Sequence, residues 1–323
     1  MFDPEVKRSN SVLLDSLASR DGDLQKEAAS TLTSYLVIKA REDGIFRKII
    51  PPTPVSWDDM TPQVDSLKPV IIREQQPNST NDAIGLPFGG QPVNTYFGAP
   101  RYLIMFQRIQ SRRMTADIMN LRGYTMDIRK VFNDLLLKDI LEEEDKQFIT
   151  TTDTICGTVN AASGTRYNTL GAKGFISLGG PISRSTLELF MEGLPSTNRH
   201  LDPATVLINN VTIKQIITMD RAAIGGDWAQ EILKKGFSEG GLLGLNWVTT
   251  IKTNLVPNGI AYQFAKPEAL GDFCTLEDVT VATKTENYMF EMFAYETIGG
   301  TIANFGAVAK ANFTATGGTG TWL

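Results

Sequence analysis

Side chains able to do chemistry are few in this sequence. Histidine occurs once, at His200, and cysteine twice, at Cys156 and Cys274. A single histidine excludes HExxH motifs and every metal site that needs two imidazoles. Two cysteines cannot build a four-ligand zinc site and are too few for a secreted disulfide framework, so we expect buried free thiols in a reducing compartment.

The surroundings of His200 do not favour catalysis. This histidine ends the polar stretch Ser196-Thr197-Asn198-Arg199-His200, which is typical of a solvated loop. A general base paired with Cys156 or Cys274 is therefore the less favoured interpretation. The sequence predicts no catalytic residues and no enzymatic activity.

Glycine clusters give no sign of a nucleotide cofactor. Gly171-Ala172-Lys173-Gly174 contains a lysine, but no Ser or Thr follows it in the GxxxxGK[ST] frame. The other clusters lack the strand-GxGxxG-helix context of a dinucleotide site, and we expect tight turns in which glycine supplies positive φ. These clusters are Gly179-Gly180, Gly225-Gly226, Gly299-Gly300 and Gly317-Gly318-Thr319-Gly320.

An acidic run, Glu142-Glu143-Glu144-Asp145, is the densest group of carboxylates. Consecutive residues point in different directions around a helix, so they cannot converge on one ion. The run predicts a solvated helix face. We expect neither a metal site nor a cofactor.

Composition narrows the class of protein further. The chain has 323 residues, 42% of them hydrophobic, and 36 acidic residues against 31 basic ones give a net charge of -5. This is a globular composition whose length fits two domains or one elaborated domain, and it lacks the cationic excess of sequence-specific nucleic-acid binders. The charged N-terminus, MFDPEVKRSN, is unlike a signal peptide, and no apolar run reaches the roughly 18 residues of a membrane span, so we expect no membrane partner.

The first 110 residues read as a helix, an arm and a long hairpin. Asp21 to Glu42 has helical periodicity, whereas Ile45 to Ile50 and the prolines after it predict an extended arm outside the core. Val70 to Glu74 and Tyr102 to Ile109 are β-rich and enclose a tip rich in proline and glycine. Loops of this length are usually functional or disordered, and the aromatic residues favour a partner that covers the tip over the alternative of a floppy surface loop. The expected intersubunit contacts are Phe88, Tyr96, Phe97, Pro51, Pro52 and Pro54.

The remaining chain mixes helices and strands without regular βαβ repeats, which indicates the α+β class. Thr125 can cap a long helix that continues to Ile149, about 25 residues or ~38 Å. Ser185 to Met191 predicts a short helix, and a new compact unit begins near Asp202. Its predicted helices are Val211 to Ile217 and Trp228 to Lys235, and the predicted strands are Ala204 to Ile208, Trp247 to Lys252, Ile260 to Phe264, Phe273 to Ala282 and Tyr288 to Tyr295.

The order of these parts resembles the tailed-bacteriophage major capsid proteins of the Hong Kong 97-type shell fold. TMDIRKVFNDLLLKDILEEEDKQFI (Thr125 to Ile149) is similar to the spine-helix region of that family, and ATVLINNVTIKQIITM (Ala204 to Met219) to the start of its axial domain. LLGLNWVTTIKTNLVPNGIAYQFAKPEALGDF (Leu242 to Phe273) and FEMFAYETIGGTIANFGAVAKANF (Phe290 to Phe313) resemble its later strands. The resemblance spans roughly Asp21 to Phe313 and rests on the order and spacing of degenerate motifs.

This resemblance implies a domain organisation. Residues 1–50 would form the N-terminal arm and 51–110 the extended hairpin loop. Residues 111–203 would form the spine helix and peripheral domain, 204–287 the axial domain, and 288–323 the return strands of the peripheral domain. Only about 20 residues precede the first arm helix, so we expect no cleaved scaffolding region of the kind that some relatives carry.

The implied function is structural. The chain would self-assemble into the pentamers and hexamers of an icosahedral phage head that encloses double-stranded DNA without sequence specificity. Expected partners are other copies of the chain, a scaffolding protein, a portal and a decoration protein, with the protein located in the virion and, during assembly, in the host cytoplasm. Two alternatives stay open: an encapsulin-like nanocompartment shell, and a soluble two-domain enzyme with catalysis near His200, Cys156 or Cys274.

Some relatives also cross-link their shells by joining a hairpin lysine to an asparagine of a neighbouring subunit. Between Glu74 and Pro100 this sequence has no lysine, although Asn78, Asn81 and Asn94 are present. An amide without a partner amine cannot form this bond. We therefore expect shells that are not covalently cross-linked.

Overall fold

The structure is a computed structural model, and it describes residues 8, 11–12, 14–15, 30, 44–61, 69–75, 88–89, 101–124, 128–157, 175–178, 180–195, 201–215, 244–286 and 288–313. The helices are α1 (Ile45–Ile49), α2 (Ile118–Arg122), α3 (Ile128–Cys156), α4 (Arg184–Met191), α5 (Asn210–Ile213) and α6 (Pro267–Leu270). The strands are β1 (Thr53–Pro54), β2 (Val70–Glu74), β3 (Arg101–Met105), β4 (Gln107–Gln110), β5 (Met114–Asp117), β6 (Phe175–Ser177), β7 (Pro203–Asn209), β8 (Asn246–Thr250), β9 (Ile260–Ala265), β10 (Gly271–Glu286), β11 (Met289–Ile302) and β12 (Val308–Asn312). None of the helices within the described ranges is long and apolar enough to cross a membrane.

A long antiparallel hairpin forms the centre of the first sheet. Strands β10 and β11 pair from Gly271 opposite Ile302 to Glu286 opposite Met289. The outer strand β1 runs parallel to β10, while β4 and β5 pair with successive parts of β11. This sheet therefore gathers residues from both the hairpin region and the C-terminal part of the chain.

The second sheet has the order β6-β12-β9-β7-β8. Strand β7 pairs parallel to β8 and antiparallel to β9, and its last five residues are all buried. Burial on both faces explains why this strand reads as the continuous apolar run ATVLI rather than as an alternating pattern.

The predicted hairpin is confirmed at its stem. Strands β2 and β3 pair in register from Val70 opposite Met105 to Glu74 opposite Arg101. The single predicted strand Tyr102 to Ile109 is divided, because buried Phe106 lies between β3 and β4 and its N–H donates to the Pro69 carbonyl. Most of the tip, 76–87 and 90–100, lies outside the described residues.

The predicted spine helix is confirmed and runs further than expected. Helix α3 has 29 residues, about 43 Å at 1.5 Å per residue. It ends at Gly157, whose positive φ of 72° lets its N–H donate to the Asp153 carbonyl. The predicted cap, Thr125 with Asp127, lies outside the described residues.

The prediction of an extended arm is wrong for its last residues. Ile45 to Ile49 form α1, and the apolar residues of this segment, Ile50 included, are buried in the main core. The apolar positions 45, 46, 49 and 50 follow the helical spacing i, i+1, i+4 and i+5. The proline string constrains only the chain that follows, where Pro51 and Pro54 are exposed.

The expected turn at Gly299-Gly300 is also wrong. Both residues lie inside β11, and a Cβ on Gly299 would approach Ile104 Cγ2 to 2.8 Å. A Cβ on Gly300 would approach Phe46 Cζ to the same distance. These glycines serve close packing rather than backbone reversal.

The other predicted elements of the second half are found, except Trp228 to Lys235, which lies outside the described residues. The strand predicted to end at Tyr295 continues seven residues further, to Ile302, and the helix predicted for Val211 to Ile217 is described as Asn210–Ile213. The pairing of the strands does not follow the predicted domain boundary after residue 287. Strand β10, from the range 204–287, belongs to the first sheet, whereas β12, from the range 288–323, belongs to the second. The predicted helix Asp21 to Glu42 is described only at Ser30, which is helical.

Candidate functional site

The hairpin stem has one face packed against the rest of the chain and an opposite face that is exposed except at Val70. Ile71 and Ile104 are buried in a small cluster with Cys274 and Phe106. On the opposite face, Ile72 is 39% exposed, Leu103 46% and Met105 58%. Because Ile72 and Leu103 are directly opposed in the β2–β3 register, the exposed side chains form a continuous apolar strip. We call this the hairpin strip, Ile72, Leu103 and Met105.

Polar contacts hold the stem to the base of the first sheet. The Tyr102 hydroxyl donates to Asp272 at the start of β10, and the Thr301 hydroxyl donates to the Leu103 carbonyl at 3.2 Å. Burial raises the pKa of Tyr102, and the hydrogen bond to Asp272 raises it further. Tyr102 therefore stays neutral and keeps its proton for the hydrogen bond to Asp272. Together the two contacts fix the stem of the hairpin to the first sheet.

The predicted contact residues fall in different situations. Phe88 is fully exposed, and Tyr96 and Phe97 lie outside the described residues. Pro52 and Pro54 line a groove of 560 Å³ together with Arg47, Val55, Thr275, Leu276 and Asp278. Pro51 is exposed beside it. The sequence predicted that these prolines lie at the surface, but no pattern in it indicated a groove.

A second exposed apolar patch lies at the far end of the first sheet. Met119, Tyr288 and Met289 are exposed there. The Tyr288 carbonyl accepts a hydrogen bond of 3.1 Å from the Ile118 N–H, and Met289 pairs with Asp117, so these residues are close together. Tyr288 has a φ of 64°, a conformation in which a bulky residue is rare.

The interior contains a charge cluster that sequence reasoning missed. Arg47 Nε lies 3.2 Å from both carboxylate oxygens of Glu144, and Arg47 Nη2 lies 2.7 Å from Glu296 Oε2. Side-chain exposure is 1% for the arginine and 0% for both glutamates. Asp278 Oδ1 lies 3.8 Å from Arg47 Nη1. The cluster joins α1, α3, β10 and β11.

Burial controls the protonation of this cluster. It raises the pKa of Glu144 to about 8, with a further increase from the charge of Glu296 and an opposing effect of Arg47. Burial also raises the pKa of Glu296 to about 7, again against Arg47. Burial alone would lower the pKa of Arg47, but Glu144 and Glu296 more than offset it, and the net change is upward.

Asp145 organises the neighbouring junction. One of its oxygens, Oδ1, accepts from the N–H groups of Ile45 and Phe46, both at 3.0 Å, while Oδ2 lies 2.6 Å from Lys252 Nζ. The residue before α1 is Gly44, which has no side chain to cap the helix. An aspartate from α3 therefore satisfies the free N–H groups of α1.

The predicted solvated helix face is thus wrong for Glu144 and Asp145, which are buried. One signal was available in the sequence. The buried positions of α3 repeat as the pairs 136/137, 140/141, 144/145 and 148/149, so two carboxylates interrupt an otherwise apolar stripe. Their partners come from distant parts of the chain.

Of the residues weighed for catalysis, the structure describes only the two cysteines. Cys156 and Cys274 are buried free thiols, as expected, and burial raises the pKa of both. His200 lies outside the described residues. Across the part of the chain that the structure describes, no group of three His, Cys, Asp or Glu side chains is placed to hold a metal ion.

Comparison with known proteins identifies the fold. No protein-family model and no curated protein sequence matches the chain. Among solved structures, the capsid asymmetric unit of cyanophage Pam1 is similar at 11% identity and a TM-score of 0.55, covering 84% of this chain and 92% of that one. The capsid of cyanophage P-SCSP1u is similar at 12% identity and 0.54, covering 83% and 88%. The Mycobacterium phage Ogopogo structure is similar at 9% identity and 0.53, covering 83% and 91%.

These similarities confirm the expected fold. The chain has the α+β Hong Kong 97-type shell fold of tailed-phage capsid subunits. At this level of identity the likeness concerns the fold and says nothing of individual contact residues.

Proposed function

We propose that this chain is the major capsid protein of a tailed phage and assembles into the pentamers and hexamers of an icosahedral head. The observation that supports this most is the shell fold itself, shared with phage capsid structures over more than four fifths of the chain. The protein then belongs to the virion and acts without catalysis.

The hairpin strip supports assembly on physical grounds. A two-stranded hairpin is marginally stable when isolated, and contiguous exposed apolar surface marks a contact site. The two described residues of the tip are Phe88 and Gly89, and the Phe88 side chain is fully exposed. A neighbouring subunit that covers the strip and tip removes both from water.

We assign the two sheets to the two domains of the shell fold. The first sheet with α3 forms the peripheral domain, and the second sheet with α4 and α5 forms the axial domain. On this assignment the axial domain takes β6 and β12 from outside the range 204–287, and the peripheral domain takes β10 from within it. The contact residues remain Phe88, Tyr96, Phe97, Pro51, Pro52 and Pro54, extended by the hairpin strip.

Packaged double-stranded DNA fits the charge of the chain. A net charge of -5 gives little phosphate neutralisation, so the shell contains DNA without binding it strongly or reading its sequence. A scaffolding protein, a portal and a decoration protein are the further partners of such a head, with assembly in the host cytoplasm.

The nucleic-acid content of purified particles tests this function. Particles from infected cells should contain nuclease-protected DNA much longer than a gene. Shells that carry a protein cargo and no DNA would identify a nanocompartment instead. If the purified protein stays a monomer or small oligomer and forms no particles, the alternative of a soluble two-domain enzyme would be favoured.

A further inference from the structure

The Arg47 cluster has an excess of buried carboxylates. One guanidinium faces Glu144 and Glu296, both fully buried, with Asp278 as a third carboxylate at 3.8 Å. Lys252, a cation at the neighbouring junction, contacts Asp145 at 2.6 Å. If both glutamates were ionised, one guanidinium would face two negative charges away from water, and the uncompensated charge would be costly.

The hydrogen bonding is also incomplete without a proton. Glu144 and Glu296 contact the same guanidinium, at Nε and Nη2, but two ionised carboxylates have no donor to offer each other. Glu296 Oε1 is buried and has no hydrogen-bond partner among the described residues. One proton placed between the two side chains supplies the missing donor and removes one negative charge.

We propose that Glu144 and Glu296 form a proton-binding site that shares one proton, and that loss of this proton at alkaline pH loosens α1 from α3 and β11. The pair resembles two carboxyl groups that cannot both ionise at short range. Since α1 lies at the end of the N-terminal arm predicted for residues 1–50, the site couples the protonation of the interior to the anchoring of that arm.

Several elements of the fold bring charged groups close to Glu144 and Glu296. Arg47 comes from α1, Asp145 from α3, Asp278 from β10, and Lys252 from the segment after β8. A cavity of 70 Å³ borders Glu144, and the 560 Å³ groove reaches Arg47 and Asp278. These spaces give water a route for proton exchange.

The sign of the pH effect follows from the raised pKa values. Both glutamates rise from an ordinary 4.5, so the folded protein holds the proton more tightly than the unfolded chain. Their contribution to stability is complete below about pH 4.5 and is lost as the pH rises through about 7 to 8. Between pH 4.5 and about 7 to 8, one linked proton makes the equilibrium constant for unfolding rise about tenfold per pH unit.

A glutamine at position 296 imitates the protonated glutamate and provides the test. Denaturant unfolding of the full-length subunit is measured from pH 5 to 9 for the wild type, Glu296→Gln and the matched control Glu143→Gln, whose residue is exposed on α3. We expect Glu296→Gln to lose the slope and to resist unfolding at pH 9 by about ten- to a hundredfold in the equilibrium constant. The control should keep the wild-type slope. Equal slopes in all three proteins would overturn the proposal.

A second measurement needs no variant and stands even if Glu296→Gln fails to fold. Infrared spectra of the wild type, labelled with ¹³C in glutamate side chains, should show a protonated carboxyl band at pH 6 that disappears by pH 9. Hydrogen exchange at the Ile45 and Phe46 amides, both bonded to Asp145, should accelerate over the same range beyond the intrinsic pH effect. Absence of the carboxyl band at pH 6, or amide protection that does not change, would refute the shared proton or the release of α1 respectively.

Discussion

The junction around Arg47 and the hairpin of β2 and β3 solve opposite physical problems. At the junction, charged and aromatic groups contact partners inside the chain. Arg47 contacts two glutamates, and the Phe46 ring stacks on Phe148 and lies tilted against Phe273, with ring centroids 4.3 Å and 4.1 Å apart. On the hairpin, the strip of Ile72, Leu103 and Met105 finds no cover among the described residues. The junction therefore packs within one chain, whereas on the proposed function a neighbouring subunit covers the hairpin strip.

This difference predicts where substitutions act. Changes that remove Arg47 or crowd Phe46 should lower the free energy of unfolding, because both side chains pack inside the monomer. Changes on the hairpin strip should leave unfolding nearly unchanged and alter association. The predictions below test this division, beginning with the largest expected effect.

Arg47→Met should destabilise the subunit by about 3–5 kcal/mol, because it leaves two buried glutamates without their cation. The measurement is denaturant unfolding at pH 7. Arg101→Met is the matched control, since Arg101 pairs with Glu74 at the surface, where the side chains are 70% and 60% exposed. An exposed pair contributes at most about 1 kcal/mol. Similar losses for both variants would mean that the buried cluster has no special role in folding.

Gly300→Ala should destabilise by about 1–3 kcal/mol, because the added Cβ would lie 2.8 Å from Phe46 Cζ in a stacked aromatic core. The same unfolding experiment applies. Gly180→Ala is the control, because no atom lies within 4 Å of its added Cβ. The account is contradicted at this site if Gly300→Ala is as stable as the control.

Local patterns in the sequence predicted part of the fold, but contacts between distant residues could not be predicted. The long helix and the hairpin stem were predictable because their patterns are local: apolar residues three and four apart in α3, and two β-rich runs around a proline-rich loop. The Arg47 contacts were not, since 97 residues separate Arg47 from Glu144 and 249 separate it from Glu296. Only the tertiary fold brings them together.

Short elements were the other limit. Helix α1 has five residues, too few for a periodic pattern to stand out, and the prolines that follow favoured an extended interpretation. Gly299-Gly300 has the sequence of a turn, but the rings and side chains packed against it decide its role. The contact residues on the hairpin tip were chosen from their types, and they stay predictions.

Leu103→Asp should change the free energy of unfolding by less than about 0.5 kcal/mol, since Leu103 is half exposed in the subunit. The substitution should nevertheless prevent assembly, because it places a charge in the hairpin strip that we propose a neighbouring subunit covers. Light scattering under assembly conditions gives the readout. Thr154→Asp, which adds the same charge to an exposed position of α3, serves as the control and should assemble. Normal shells from Leu103→Asp would show that the strip is not a contact.

Boiling mature particles in detergent should produce no cross-linked species, because no lysine lies between Glu74 and Pro100. A denaturing gel should show one band at 35.5 kDa. A ladder of multiples that resists reductant would reveal a bond formed by another lysine.

On the proposed function, copies of this chain complete one another in a closed shell. Electron microscopy of the purified wild-type protein, together with its scaffolding protein where one is required, shows whether they do. We expect closed particles of icosahedral symmetry in which density from a neighbouring subunit covers Ile72, Leu103 and Met105. A chain that stays monomeric under all salt and pH conditions, or particles in which this strip faces solvent, would contradict it.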